Sequence, residues 1–389
     1  VDSQNQRKIN EWNKMVICLG AGQNQLPLIF AAKKLGFKVV AIDQDPNAIG
    51  VSQADIYINE STYNPENIYS KLTLLPEIND VVCLLARVST PALSTAAIIT
   101  ERFGLNGISK KVLPIVMSKI RFRDFCSEHD LSPDLRIPET TKLKEDNLSY
   151  PVIVKPDITV VGKKNIKVIF SKNNFESAFL DASRSSWNNK ATIEKYVDGI
   201  DVEVLFVLKN GRAEIISIWD ELVGVDYSGE IKAIGLNIPS VIIDTEIEKK
   251  ILNKINDLSK IFYNEHMIYT LCLRVGFDKN VYCIELHGDL GGDLVAEKLL
   301  SLRSNNFNYF EMVIKFLSNK SFPIKKPNIK PSALLYNKNC GIISNDEITF
   351  LESATVEENI SMIYELITDK FFILPKHADF LKIKKNEER

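Results

Sequence analysis

The chain has 389 residues, 45% hydrophobic and 25% charged, the balance of a globular protein with a substantial core. Its 48 basic and 50 acidic residues leave a net charge of -2, so nothing points to a nucleic-acid partner. The longest apolar run, Val81 to Ala86, is six residues, against roughly 20 for a bilayer span, and the polar N-terminus has no signal-peptide pattern.

Residues 1–14 are polar and expected to be frayed or weakly helical. Met15-Val-Ile-Cys-Leu19 reads as a buried strand, Gly20-Ala-Gly22 as a tight turn, and Gln25 to Leu35 as an amphipathic helix ended by Gly36. Phe37 to Asp43 completes a βαβ unit. Short strands at Ile56–Ile58 and Val81–Leu85, with helices between, extend it to a doubly wound parallel sheet over residues 15–112. A charged helix from Ser118 to Glu128 opens an α+β region. Its strands are expected at Val152–Lys155, Ile166–Phe170, Ala191–Tyr196, Val202–Leu208 and Ala213–Trp219. A long helix at Ile247–Phe262 precedes a hairpin of Thr270–Val275 and Val281–Glu285, turned at Asp278-Lys-Asn280. Residues 305–377 carry a further helix, strands at Ile348–Leu351 and Phe371–Leu374, and an amphipathic helix near Val356–Ile367. The tail from Lys382 is charged.

The six cysteines are scattered, with no Cys-x-x-Cys pair, which argues against a disulfide framework and against zinc and favours a reducing cytoplasm. Cys18 and Cys83 lie in apolar runs where the thiol acts as a small hydrophobe.

Gly20-x-Gly22 after a strand, with Asp43 ending the next, has the outline of a dinucleotide site. The third glycine of that fingerprint falls at Gln25 and is missing, so an NAD-dependent dehydrogenase rests on a turn that any strand-to-helix junction favours. Gly22 and Arg87 are instead expected to line a substrate cleft at the ends of the strands.

A stronger pattern runs from 119 to 293. Lys119 opens a helix and Lys155 ends the strand Pro151-Val-Ile-Val-Lys-Pro156. The loop after it contains Gly162-Lys163-Lys164-Asn165. Fixed positive charge beside a glycine-bearing loop suits a polyphosphate, whose oxygens need cations and close backbone N–H groups. Thr192-Ile-Glu-Lys-Tyr-Val-Asp-Gly-Ile-Asp201 is a strand leaving into a glycine turn. In Tyr282-Cys-Ile-Glu-Leu-His-Gly-Asp-Leu-Gly-Gly-Asp293, Glu285, His287 and Asp289 alternate, so their side chains share one face.

In these motifs the sequence resembles the ATP-grasp superfamily, over nearly its whole length. The resemblance implies a pre-ATP-grasp α/β domain at 15–112 after an N-terminal extension at 1–14. A small subdomain with the phosphate loop follows at 113–190, a central subdomain at 191–304, a segment completing the fold at 305–381, and the tail at 382–389. By the same resemblance Lys119, Lys155 and Gly162 contact ATP phosphates. Glu194, Lys195, Tyr196 and Val197 form the hinge that reads adenine, and Asp201 holds the ribose. Glu285 matches the glutamate of the Glu-x-Asn-x-Arg metal motif, with His287 at its asparagine and Asp289 at its arginine. Gly291 and Gly292 follow as substrate-side glycines. An acid that normally shares the metal falls at or beside Cys272.

The implied reaction is ATP-dependent joining of a small carboxylate, such as an amino acid, to an amine through an acyl phosphate. The implied cofactors are ATP and Mg²⁺ or Mn²⁺. Lys163, Lys164 and Arg274 are the expected catalytic cations, Arg274 standing in for the missing arginine at 289. Partners are small molecules, with no nucleic acid or membrane, and a homodimer is compatible with this. The alternative is an altered ATP-grasp protein that binds a nucleotide or metabolite without turnover, motivated by Cys272, His287 and Asp289.

Overall fold

A computed structural model describes residues 14–88, 90–137, 148–160, 162–243, 245–291, 294–301, 304, 307–318, 323–324, 326–336, 348–367 and 376–381. The expected frayed N-terminus, the strand at Phe371–Leu374 and the charged tail lie outside these residues, as do Gly292 and Asp293. Among the described residues no helix is long and apolar enough to cross a membrane.

The first part of the chain folds as the hydrophobic pattern predicts. Strands β1 (Met15–Leu19), β2 (Lys38–Asp43), β3 (Ile56–Asn59) and β4 (Val81–Ala86) form a parallel sheet in the order β3-β2-β1-β4. β1 is buried along its whole length, as a central parallel strand covered on both faces must be. Helices α1 (Leu26–Lys34) and α2 (Pro65–Thr73) make crossovers from β1 to β2 and from β3 to β4, while α3 (Thr90–Phe103) and α4 (Leu113–Met117) follow β4 and lead out of the sheet.

Helix α5 (Lys119–Glu128) starts at Ser118, whose Oγ accepts from the Arg121 N–H at 3.1 Å, the N-cap that its sequence position calls for. Beyond it, β5 (Val152–Pro156), β6 (Lys167–Ile169) and β7 (Ala191–Lys195) form a three-stranded antiparallel sheet, order β6-β5-β7, backed by α6 (Phe175–Ser185). This small lobe has its own core around Val152, Val154, Phe175 and Ile193. Pairing with β5 puts Ala191–Lys195 in the small sheet rather than with the strands that follow it.

The third sheet has seven strands and is antiparallel throughout. β8 (Gly199–Lys209), β9 (Arg212–Val225), β10 (Ile231–Ile238), β11 (His266–Gly276), β12 (Val281–His287), β13 (Ser332–Tyr336) and β14 (Ile348–Glu352) run in the order β12-β11-β8-β9-β10-β13-β14. α7 (Glu246–Ile261), α8 (Tyr309–Ser318) and α9 (Val356–Ile367) complete the fold. A single core joins this sheet to the parallel one.

Two strands, β10 and β13, were not expected, and for β10 the composition explains why. β10 contains Gly235 and Asn237, residues that normally punctuate loops. A side chain at 235 would meet the Leu334 carbonyl oxygen at 2.1 Å, so glycine is what lets β13 lie alongside. Asn237 is buried because its Nδ2 donates to Asp220 Oδ2 at 2.8 Å.

Gly199 stands under the same constraint at the start of β8, where an added Cβ would fall 2.0 Å from the Val275 carbonyl oxygen. Gly199→Ala must therefore push β8 away from β11. We expect a loss of about 1–3 kcal/mol, the usual range for overpacking, read from the midpoint of urea unfolding.

Candidate functional site

The site is built where the small lobe faces the large sheet. Asp157, just past β5 and 2% exposed, ties the small lobe to α5. Its Oδ1 accepts from Ser118 Oγ at 2.7 Å and from the Ile120 N–H at 2.9 Å, and its Oδ2 accepts from Asn188 at 2.6 Å. A carboxylate at a helix N-terminus is favourable, and here it also fixes where Lys119 leaves the helix. Lys119 is buried and Lys155 is buried beside it.

Lys119, Lys155 and Lys163 each meet a carboxylate. Lys155 Nζ is 2.6 Å from Glu194 Oε2, Lys119 Nζ is 2.8 Å from Glu285 Oε2, and Lys163 Nζ is 2.8 Å from Glu221 Oε2. Arg123, with its side chain 1% exposed, adds a second cation 3.6 Å from Glu194 and donates to the carbonyls of Cys283 and Ile284. Burial alone would push the Glu194 carboxyl up, but Lys155 and Arg123 hold it below its ordinary 4.5. Burial likewise opposes the charge on Lys163, yet Glu221 and Asp201 raise its ammonium above the usual lysine value.

The large sheet supplies two rows of side chains through its register. Glu203 on β8 pairs with Cys272 on β11, and Cys272 with Glu285 on β12. One step along, Asp201 pairs with Arg274 on one side and Glu221 on the other. Because side chains alternate, Glu285 and His287 share a face. His287 Nε2 is 3.3 Å from Glu285 Oε1. Burial pulls the imidazole down, but Glu285 outweighs it and raises it to about 9. Glu285 is held well below the ordinary carboxylate range against its burial, chiefly by Lys119 and then by His287. The Cys272 Sγ donates to Glu203 Oε1 at 3.6 Å. Ligating atoms of Cys272, Glu285 and His287 lie within 4.8 Å of one another.

Several expected residues are brought together and others are not. Lys119, Lys155, Lys163, Glu194, Lys195, Tyr196, Val197, Asp201 and Glu285 line one pocket. A second chamber of about 620 Å³ adjoins it, with Arg87, His287, Asp289 and Gly291 on its wall. Gly162 is there too, in a positive-φ turn. Lys164 is exposed and lines neither space, because the turn points it outward. Arg274 is engaged elsewhere than expected. Its Nη1 is 3.0 Å from Asp201, and its Nε donates to the Val197 carbonyl at 3.0 Å, so it braces the hinge rather than facing Glu285. Arg87 is 4% exposed, paired with Glu297, and donates to the carbonyls of Asn24 and Gly291. It knits the two sheets together at the chamber wall. Gly22 is not on that wall, although Asn24 and Gln25 are.

The glycine turn is held by contacts within its own domain. Asp43 Oδ2 accepts from the Ala21 N–H at 2.8 Å, and the Gly50 N–H donates to the Ala21 carbonyl at 2.7 Å. Gln25 folds over Gly20, where an added Cβ would meet its Cδ at 3.1 Å. The acid expected to hold a ribose is used to hold the turn.

Sequence reasoning passed over Arg123, Asp157, Glu203 and the partners of the lysines. Arg123 was visible as a cation in a charged helix, but its burial depends on carbonyls 160 residues away. His377 also returns to the site, 4.0 Å from Asp220. Burial pushes His377 down to about 4 and Asp220 up to about 7.

An ion such as Mg²⁺ wants hard oxygen ligands in octahedral geometry. The thiol and imidazole beside Glu285 replace two such ligands, so this donor set does not fit Mg²⁺.

This three-sheet α/β architecture, with lysines and carboxylates converging between its lobes, is the fold of ATP-grasp ligases. Residues 127–277 match the family described as D-ala D-ala ligase C-terminus. The L-amino acid ligase from Bacillus licheniformis superposes with a TM-score of 0.68 at 16% identity, covering 92% of this chain and 98% of that one. N5-carboxyaminoimidazole synthetase from Staphylococcus aureus, complexed with ADP, gives 0.67 at 13% identity over 91% of this chain and 99% of that one. In sequence, the chain is 25% identical over 340 residues to a formate-dependent phosphoribosylglycinamide formyltransferase of Prochlorococcus marinus strain MIT 9515, covering 82% of this chain and 80% of the relative.

Removing Glu194 leaves Lys155 and Arg123 buried without their counter-charge. Glu194→Ala should lose roughly 3–5 kcal/mol near neutral pH, the usual result of breaking a buried pair. Because the folded carboxyl is depressed, its contribution is present above pH 4.5 and lost as pH falls through the lower folded value. Urea unfolding of both proteins across acid pH should therefore show the gap narrowing on acidification.

Proposed function

We propose that the protein is an ATP-dependent ligase that joins a small carboxylate to an amine, forming ADP and phosphate. The observation that carries this reading is the alignment of three lysines and a hinge strand in one pocket that opens into the 620 Å³ chamber. That volume lies in the range of small-molecule sites.

In this reading the backbone of Glu194–Val197 holds adenine, and Asp201 holds the ribose. Arg274 keeps both in place through its bonds to Asp201 and the Val197 carbonyl. Lys119, Lys155 and Lys163 take the phosphates, each leaving or sharing the carboxylate it now contacts. The substrate carboxylate attacks the γ-phosphorus, the bond to the bridging oxygen breaks, and ADP carries away that electron pair. The amine nitrogen then attacks the acyl carbon, phosphate leaves, and the nitrogen loses a proton. No protein nucleophile takes part, so the chain contributes position and charge neutralisation. Asp289, at the chamber wall where the family has an arginine, favours a cationic ammonium partner over a second anion.

Two measurements test this. ATP or ADP should raise the melting temperature, since a ligand selective for the folded state stabilises it, and Lys155→Ala should remove most of that shift. A larger shift with NADH than with ATP, or an unchanged one in the variant, contradicts the nucleotide assignment. During turnover with an oxygen-labelled carboxylate, one labelled oxygen should appear in each phosphate released. AMP and pyrophosphate as products contradict the acyl-phosphate route. Nucleotide binding without ADP release from any amino acid or small acid leaves the binding-only alternative.

A further inference from the structure

The side chains where the fold's Mg²⁺ would sit form a different kind of metal site. We propose that Cys272, Glu285 and His287 bind a borderline divalent cation of the Zn²⁺ or Co²⁺ class, with the Cys272 thiolate as a direct ligand. Three observations support it.

First, the donors are set by strand register rather than by mobile loops. Cys272 and Glu285 are directly paired on neighbouring strands, and His287 lies two residues along β12 on the same face. The opposite face of these strands is packed into the core, with Leu271, Leu273 and Leu286 each 1% exposed or less. Such a platform keeps the ligand atoms near one another without an ion.

Second, the spacing suits coordination. The ligating atoms lie within 4.8 Å of one another. Around a tetrahedral zinc, bonds of about 2.0–2.3 Å leave ligands roughly 3.5 Å apart. Side-chain rotation alone can close that difference.

Third, the donor chemistry selects the metal. One thiolate, one imidazole and one carboxylate are a soft-to-borderline set that favours Zn²⁺ and Co²⁺ over Mn²⁺ and strongly over Mg²⁺. Three protein ligands leave the fourth position open, as in zinc sites that admit an exogenous oxygen. Glu285 and His287 border the chamber, so that position faces the space where a phosphate or carboxylate oxygen would enter. Glu203 on the third strand of the row accepts from the Cys272 thiol at 3.6 Å and is placed to take the proton that the thiol gives up when it binds the ion.

The test uses the full chain, freed of metal by a chelator and titrated with Co²⁺ in the absence of nucleotide. This keeps it independent of the ligase reading: metal binding and ATP turnover can each fail without the other. We expect one Co²⁺ per chain, with a near-ultraviolet thiolate-to-cobalt charge-transfer band and the intense visible bands of a tetrahedral ion. One equivalent of Zn²⁺ should erase both, whereas a large excess of Mg²⁺ should leave them. Cys272→Ser should abolish the charge-transfer band, and His287→Ala should weaken Co²⁺ binding by more than about 100-fold, beyond the loss usual for residues that only support a ligand. Unchanged circular dichroism and melting temperature in these variants establish that they are folded, and His287→Ala supplies an independent test should Cys272→Ser not fold. Absence of the charge-transfer band in the wild type, its survival in Cys272→Ser, or displacement of Co²⁺ by Mg²⁺ overturns the proposal.

Discussion

The arrangement of the site depends on cations being held by carboxylates before any nucleotide arrives. Lys119 on α5 reaches Glu285 on β12, and Lys163 in the small lobe reaches Glu221 on β9. Both pairs cross from the elements around the small sheet to the large one. Lys155 and Arg123 meet Glu194 inside the small lobe and at its seam. Buried charges demand partners, and these pairings supply them along the wall of one pocket. The lobes are thereby registered on one another, and the lysines are preorganised rather than scattered over a surface.

This constraint explains the division of labour among the acids. Glu194 is fully enclosed with two cations around it, which fits a permanent structural partner of Lys155. Glu285 is shared between Lys119 and His287 and lies opposite Cys272 across the β11–β12 register. Asp201 is held by Arg274, which is itself anchored on the hinge carbonyl. Catalysis by positioning needs this kind of rigidity, because charge placed in advance requires little reorganisation during reaction.

The sequence made much of the scaffold legible because local periodicity is a local property. The run from Met15 through Gly20-x-Gly22 to Asp43 folded as a βαβ unit, Lys119 opened a helix and Lys155 lay on the expected strand, whereas the strand through Glu194 joined the small sheet rather than the strands after it. What stayed hidden depends on partners far along the chain. Nothing near Arg123 shows that it will be buried against carbonyls of β12, and nothing near Gly235 shows that β13 will pass within reach of it. Arg274 was legible as a cation in the site but not as one committed to Asp201, because that pairing follows from the β8–β11 register. Scattered cysteines argued against a zinc-class ion, since spacing along the chain says little about residues on adjacent strands. Cys272 meets Glu285 and His287 only through the β11–β12 register.

The most direct test of this account is a crystal structure of the protein with ADP. The adenine should lie against the Glu194–Val197 backbone, and at least one of Lys119 and Lys163 should have moved from its carboxylate to a phosphate oxygen. ADP bound at the Gly20–Gly22 turn, or bound anywhere with all three lysine–carboxylate pairs intact and the phosphates away from them, would contradict it.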